Sequence, residues 1–188
     1  MSKIEFSPVD KSKWNDLEKL FGTRGACGGC WCMTWRLSPK EFKENSGEGN
    51  KKLLKNLVYQ NHKPGILAYV DNEPAGWCAV APREIYIRLE NSKVLSRIDG
   101  EKVWSISCLF IAKKFRQQGL STELIKNALK FCKQQGAKIV EAYPVEPYAD
   151  NIPAAFAWTG IPSSFIGAGF KEVARRSRTR PIMRYLIK

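Results

Sequence analysis

The stretch that decides the fold is LFIAKKFRQQGLS, residues 109–121. It completes a short apolar run, residues 103–111, whose β-branched and aromatic side chains predict a central strand buried on both faces. Gly119 and the small Ser121 then lead directly into a sequence with helical periodicity. A strand that turns tightly into a helix directs several backbone N–H groups and the positive end of the helix dipole at one small volume, where a pyrophosphate fits. Arg116 adds positive charge there, although an ordinary strand-to-helix turn with an incidental glycine gives the same local pattern.

The sequence after this turn has the pattern of a strand–helix–strand unit. Apolar residues at helical spacing predict a helix that ends at Gly136, and residues 137–145 predict the next strand. The two strands are then expected to be parallel, with a right-handed crossover. The apolar face of the helix consists of Leu120, Leu124, Ile125, Ala128, Leu129, Phe131 and Cys132.

The rest of the chain predicts one globular domain over residues 1–188, since its length and its 44% hydrophobic content suffice for a single core. Apolar spacing and turn residues mark the remaining elements. We expect helices at 14–21, 39–45, 51–61 and just before Gly169, a hairpin at 65–70 and 75–81, an irregular connection or edge segment at 83–101, and final strands at 170–175 and 182–187.

Composition excludes several classes of protein. No apolar stretch is long enough to span a membrane, and the first residues lack the apolar core of a signal peptide. The six cysteines are therefore expected to be reduced thiols in a cytoplasmic protein. The net charge of +13 attracts anions, but the basic residues are spread along the chain, with one concentration at residues 175–184 and no interleaved aromatic residues. A solvated basic surface is favoured over a nucleic-acid site.

The turn at residues 116–121 resembles the signature of the GNAT superfamily of N-acetyltransferases, Arg/Gln-x-x-Gly-x-Gly/Ala. Arg116, Gly119 and Ser121 occupy its three positions, and serine at the last is a departure from it. Two further segments are similar to family features. Residues 168–170, Ala-Gly-Phe, resemble the turn after the last helix, and residues 180–183 resemble the start of the last strand.

The resemblance implies an α/β (α+β) fold with a mixed, V-splayed β-sheet flanked by helices. It implies acetyl-CoA as co-substrate, with the pantetheine arm beside the strand at 109–111 and the diphosphate on the turn. It also implies transfer of acetyl to an amine, of a small molecule or a protein, by direct attack in a ternary complex, with a strand N–H near Ile111 steadying the oxyanion. The expected cofactor-binding residues are Leu109, Phe110, Ile111, Arg116, Gln117, Gln118, Gly119, Leu120, Ser121 and Thr122.

The acid and base that many relatives use do not carry over, because Phe165 and Ser105 occupy the corresponding positions. We expect catalytic substitutes among Tyr143, Glu141 and Cys108, with Tyr148 as a further candidate. Each of these side chains is also explained by packing alone. The missing acid and base leave a second reading open, a non-catalytic acyl-CoA-binding or nucleic-acid-associated regulatory module.

Residues 27–35, CGGCWCMTW, hold three thiols and two tryptophans. A closed zinc site needs four ligands, and the chain has one histidine, His62, so we expect no metal. A redox pair lacks a thioredoxin-like context. Two readings remain open: Trp31, Met33 and Trp35 shape a substrate pocket, or they cap the core. The sequence is also compatible with a homodimer and does not fix the oligomeric state.

Overall fold

Seven strands form one mixed sheet in the structure, a computed structural model that describes residues 2–147 and 157–188. The strand order is β1-β2-β3-β4-β5-β7-β6. This confirms the α/β fold class predicted from the sequence. The strands are β1 (Ile4–Pro8), β2 (Gly65–Val70), β3 (Glu73–Pro82), β4 (Trp104–Ile111), β5 (Ile139–Ala142), β6 (Lys171–Arg175) and β7 (Pro181–Leu186).

Six α-helices accompany the sheet within the described residues: α1 (Trp14–Phe21), α2 (Pro39–Glu44), α3 (Glu48–Tyr59), α4 (Ile87–Glu90), α5 (Leu120–Gln134) and α6 (Pro162–Gly167). The bounds of α1 agree with the predicted helix at 14–21, and α3 begins three residues before the predicted start. The region 83–101, expected to be an irregular connection, contains α4. None of the helices in the described ranges is long and apolar enough to cross a membrane.

The sheet splits between β4 and β5. These two strands pair in parallel over three residues, from Trp104 opposite Val140 to Ile106 opposite Ala142. On its other side, β4 keeps its antiparallel ladder with β3 as far as Ile111. The half of β4 beyond Ile106 therefore has a strand on one side and a gap on the other.

Helices cover both faces of the sheet because side chains alternate along the central strands. On one face, Leu109 of β4 packs in a core with α5 and α6. On the other face, Cys108 packs in a core with α1 and α3. Neighbouring residues of β4 thus face opposite sides of the sheet, and both lie beside the gap.

Gly65 on β2 lies where the sheet leaves no room for a side chain. A Cβ atom at Gly65 would overlap the carbonyl oxygen of Cys78 and lie 2.7 Å from the ring of Trp77. We expect Gly65→Ala to lower the free energy of unfolding by about 1–3 kcal/mol, as overpacking does. Gly100→Ala is the control, because a Cβ there meets nothing within 4 Å, and its effect should stay within about 0.5 kcal/mol. Equal denaturation midpoints for the two variants would contradict this packing.

Candidate active site

The turn from β4 into α5 presents free backbone donors. Gly119, just before α5, has φ +75°, a left-handed conformation that glycine adopts without strain, and Gln117 has φ +60°. The N–H groups of residues 117–121 form no hydrogen bond to another backbone group of the described chain. Together with the positive end of the α5 dipole, they form a cradle suited to an anion.

Arg116 and Ser121 are fixed on either side of this cradle. The Nε atom of Arg116 donates to the carbonyl oxygen of Ile111 at 2.8 Å, which holds the exposed guanidinium over the end of β4. The hydroxyl of Ser121 lies 3.1 Å from that of Ser164, which ties the start of α5 to α6. The cradle is therefore braced by β4 and by α6.

A cavity of about 490 Å³, which we call the cofactor cleft, runs from this cradle along the gap beside β4. Its walls include eight of the ten residues predicted to bind the cofactor. The side chain of Gln118 instead donates to the carbonyl of Lys114, and Thr122 faces Gly167. The cleft is lined by Ala26, Cys27, Leu109, Phe110, Ile111, Phe115, Arg116, Gln117, Gly119, Leu120, Ser121, Ala157, Trp158, Gly160, Ile161 and Ser164.

Two N–H groups lie on the edge of β4 that faces the gap, and they differ in whether they have a hydrogen-bond partner. The N–H of Leu109 donates to the carbonyl of Trp158 at 2.7 Å. Alternation along the strand turns the N–H of Ile111 to the same side. On this edge of β4, the N–H of Ile111 therefore faces the cleft and has no backbone partner in the described ranges. This is the position at which the resemblance implies an oxyanion donor.

A second cavity of about 220 Å³ adjoins the cleft, and we call it the thiol cavity. Five residues line both: Ala26, Cys27, Leu109, Phe110 and Trp158. The wall of the thiol cavity is completed by Cys30, Cys32, Thr34, Trp35 and Cys108. The cluster of thiols singled out in the sequence therefore meets Cys108, a predicted catalytic residue, in one pocket beside the cleft.

Of the three predicted substrate-binding residues, Trp35 lines the thiol cavity, where its ring lies 5.7 Å from that of Trp158. Trp31 is buried in the core, with its ring 6.2 Å from Trp14 and 5.5 Å from Phe21. Met33 is also buried and borders a separate cavity of about 770 Å³ on the other side of the loop. The substrate role of these residues stays a prediction, which the position of Trp35 favours.

Cys32 has the most unusual environment of the thiols in the described ranges. Cys32 and the preceding Trp31 both have a left-handed backbone conformation, with φ angles of +52° and +41° respectively. This conformation costs free energy in residues other than glycine. The Sγ of Cys32 accepts the indole N–H of Trp77 at 3.0 Å, and Cys108 lines the same cavity wall. Burial acts to raise the pKa of Cys32, but the neighbouring Cys108 thiol, the Trp77 indole and the charge of Arg36 lower it overall.

Two further thiols of this wall, those of Cys108 and Cys30, are disfavoured as thiolates. The neighbouring Cys32 sulfur, together with burial, raises the pKa of Cys108 well above its ordinary value. Burial also raises the pKa of Cys30 to about 11, and its Sγ donates to the carbonyl of Gly25 at 3.4 Å. Of these three thiols, Cys32 is the one whose pKa is lowered.

Tyr143 and Glu141, the other predicted catalytic residues, lie in a buried polar network. The Tyr143 hydroxyl donates to the Glu141 carboxylate at 2.6 Å, accepts from Arg83 at 2.7 Å and lies 2.9 Å from the hydroxyl of Ser105. Glu141 also accepts from Arg184 at 2.7 Å. Burial, then the charge of Glu141, raises the pKa of Tyr143 well above its ordinary value. Their catalytic role stays a prediction, but neither residue lines the cleft or the thiol cavity.

Tyr148 lies outside the described residues. Within the described ranges, no three or more His, Cys, Asp or Glu side chains converge as a metal site would require. Trp158, which lines both cavities, was not predicted from the sequence, because this residue follows a proline-rich connection with no periodicity. The sequence analysis did single out the loop of Cys32, but spacing alone does not tell which thiol enters a cavity.

The sequence model of the family described as "Acetyltransferase (GNAT) family" matches residues 31–158. No curated protein sequence matches the chain.

Several solved structures share the fold. PaiA N-acetyltransferase from Thermoplasma acidophilum, in complex with coenzyme A, has a TM-score of 0.55 and 16% identity, over 98% of this chain and 99% of that one. Arylalkylamine N-acetyltransferase 2 from Aedes aegypti has a TM-score of 0.59 and 15% identity, over 99% and 100%. An acetyltransferase of the GNAT family from Listeria monocytogenes 4b F2365 has a TM-score of 0.59 and 9% identity, over 97% and 94%.

Gly119 tests the anion cradle. A Cβ atom there meets nothing within 4 Å, so a larger side chain has room, although any residue other than glycine is strained at φ +75°. We expect Gly119→Asp to abolish CoA binding in isothermal titration, because a carboxylate would repel the diphosphate. Gly119→Asn is the matched control, with the same shape and strain but no charge, and it should retain measurable affinity. Equal affinities of the two variants would count against the cradle as a diphosphate site.

Tyr143→Phe separates a structural from a catalytic role. We expect the free energy of unfolding to fall by about 1–3 kcal/mol, since the change leaves buried partners unsatisfied. Tyr59→Phe, at an exposed tyrosine, is the control and should cost less than about 0.5 kcal/mol. If stability were instead unchanged and the rate per folded molecule fell on the order of 10²-fold, Tyr143 would be the proton donor predicted from the sequence.

Proposed function

The chain belongs to the acetyltransferase (GNAT) family, and from that premise we propose that it transfers an acetyl group from acetyl-CoA to an amine. The observation that carries the proposal is the continuity of the two cavities. The anion cradle lies at one end of the cofactor cleft, and the thiol cavity opens from the cleft beside Leu109 and Phe110. A diphosphate on the cradle would direct the rest of CoA along β4, toward the second cavity.

The backbone supplies the main features needed to hold the donor. The free N–H groups of residues 117–121 suit the diphosphate, and the N–H of Ile111 suits the thioester oxygen as negative charge develops on it. Fixing the thioester beside a bound amine supplies a large part of the rate acceleration by positioning alone. The residues that line the cleft and the thiol cavity in the described ranges include no carboxylate and no imidazole.

The acceptor we propose is a small amine or the reacting end of a larger one. A cavity of about 220 Å³ holds a compact group, and its walls are mainly aromatic side chains and thiols. Two relatives of the same fold are named for amine acetylation, one of them an arylalkylamine N-acetyltransferase. These names support the amine class for this chain without naming its acceptor.

Two orders of events give this overall reaction. In direct attack, the route that the resemblance implies, the amine reacts with the thioester while both substrates are bound. In a covalent route, a protein nucleophile takes the acetyl group first and CoA leaves before the amine reacts. The proposed function holds for both routes.

The basic residues near the end of the chain weigh against a nucleic-acid-binding module. Arg175 pairs with Glu172 and Glu146, and Arg184 pairs with Glu141 and Asp99. Arg176 donates to the carbonyls of Ser96 and Arg97. These guanidinium groups are engaged within the chain, so they offer fewer free donors to phosphates than the sequence suggests.

Isothermal titration with CoA, acetyl-CoA and duplex DNA tests the function. We expect micromolar binding of both thiol compounds and no binding of DNA at physiological salt. A panel of amines, with detection of released CoA thiol, should then yield at least one acetylated product. DNA binding without CoA binding would overturn the proposal.

A further inference from the structure

The thiols of the second cavity have no part in the function proposed so far. Cys32 and Cys108 approach each other there from different elements, the loop before α2 and strand β4. Both cysteines lie at the wall of the cavity next to Leu109 and Phe110, which also line the cofactor cleft. A thioester laid along β4 would end within this neighbourhood.

The surroundings of Cys32 are those of an activated sulfur. It accepts a hydrogen bond from the indole of Trp77 at 3.0 Å, and the thiol of Cys108 lies in the same cavity wall. An N–H donor of this kind favours a charged sulfur over a neutral one. Such bonding lowers the pKa of a nucleophilic cysteine, as neighbouring bases and cations do. The thiolate, not the thiol, is the form that attacks a carbonyl.

Arg36 borders the separate cavity of about 770 Å³, and its charge acts on Cys32 to lower the pKa of that thiol. It is a buried residue, 9% exposed, and its Nη2 atom has no hydrogen-bond partner in the described ranges. Its guanidinium lies 4.9 Å from the ring of Tyr86 and forms no ion pair with a carboxylate of the described chain. An unpaired buried charge is costly, and a thiolate on Cys32 would offset that cost.

The backbone of the loop that carries Cys32 is strained. Trp31 and Cys32 are consecutive residues with positive φ. Strain of this kind persists only where the surrounding structure enforces it, and here the core enforces it by packing Trp31 against Trp14 and Phe21. Both residues pack in this core, and Cys32 also reaches the wall of the thiol cavity.

We propose that Cys32 is a catalytic nucleophile that carries the acetyl group between CoA and the acceptor. This inference rests on the proposed function, and it selects the covalent route. The Cys32 sulfur attacks the thioester carbonyl, a C–S bond to Cys32 forms, the C–S bond to CoA breaks, and the CoA thiolate takes a proton from solvent. Cys108 is a positioning residue that keeps Cys32 ionised.

The second half of the reaction restores the protein. The neutral amine nitrogen attacks the acetyl group on Cys32, the new C–N bond forms, and the C–S bond to Cys32 breaks. The proton lost from nitrogen passes to solvent, which balances the proton that the CoA thiolate took up, so Cys32 is again a thiolate. Since one thioester is exchanged for another in the first half, that half is reversible and proceeds without any acceptor.

This reversibility gives a test that needs no knowledge of the acceptor. The intact protein is incubated with unlabelled acetyl-CoA and radiolabelled CoA, and the label appearing in acetyl-CoA is measured over time. Exchange is expected for a covalent route, because CoA can leave and return while the acetyl group stays on the protein. Direct attack predicts no exchange in the absence of an amine.

Mass spectrometry of the same mixture, quenched in acid, should show one added acetyl group on the intact chain. Peptide mapping should place it on Cys32. The wild-type chain serves for this measurement, so the result does not depend on whether a variant folds. An acetyl group found on Cys27 or Cys30 instead would overturn the assignment.

Variants sharpen the test. Cys32→Ala should lower the exchange rate at least on the order of 10²-fold, whereas Cys132→Ala, which removes a buried thiol on α5 that lines neither the cleft nor the thiol cavity, should change it less than about twofold. Cys108→Ala removes the neighbouring thiol that lowers the pKa of Cys32. The rise of exchange rate with pH should therefore move to higher pH, a shift that a packing role of Cys108 would not produce.

The outcomes separate this inference from the proposed function. If the protein fails to bind CoA, the proposed function fails. If it binds CoA and acetylates an amine but shows neither exchange nor an acetyl group on Cys32, the function stands and Cys32 is not the nucleophile.

Discussion

The short parallel pairing of β4 with β5 is the constraint on which the rest of the site depends. It stops at Ile106, since Ser107 forms a bulge against β3 and the segment around Trp158 takes the place of the next strand. A full ladder would use every backbone donor on that edge of β4. Because the ladder stops, a gap opens in which both cavities lie, and the N–H of Ile111 is left facing it.

A buried network of charged groups and hydroxyls lies at the closed end of the split. Arg83 and Glu141, both almost fully buried, meet the hydroxyls of Tyr143 and Ser105 where β4 and β5 still pair. A buried ion pair of this kind stabilises little by itself, but removing one partner would leave the other uncompensated. Glu141 and Tyr143, which were catalytic candidates from the sequence, thus lie in this network, at the end of the split opposite the open gap.

Local patterns in the sequence predicted the fold well and the site in part. The turn at residues 109–121 was readable because a buried strand, a glycine and an amphipathic helix follow one another along the chain. β1 was not predicted, since Ile4–Pro8 is a short edge strand whose pairing with β2 is a tertiary contact without a strong pattern of its own. Trp158 and the pairing of Cys32 with Cys108 were equally unreadable, because each depends on segments that are distant in sequence.

The loop around Cys32 shows why the sequence left two readings open. The two readings are not alternatives, because the loop contributes to both the core and the pocket. Trp31, Cys32 and Met33 are buried in one core cluster, and Cys32 also lines the thiol cavity together with Trp35. Trp31 and Cys32 are consecutive and both have positive φ angles, so the packing of one tryptophan constrains the place of the neighbouring sulfur. Core stability and the chemistry of the cavity are therefore coupled through a single peptide unit.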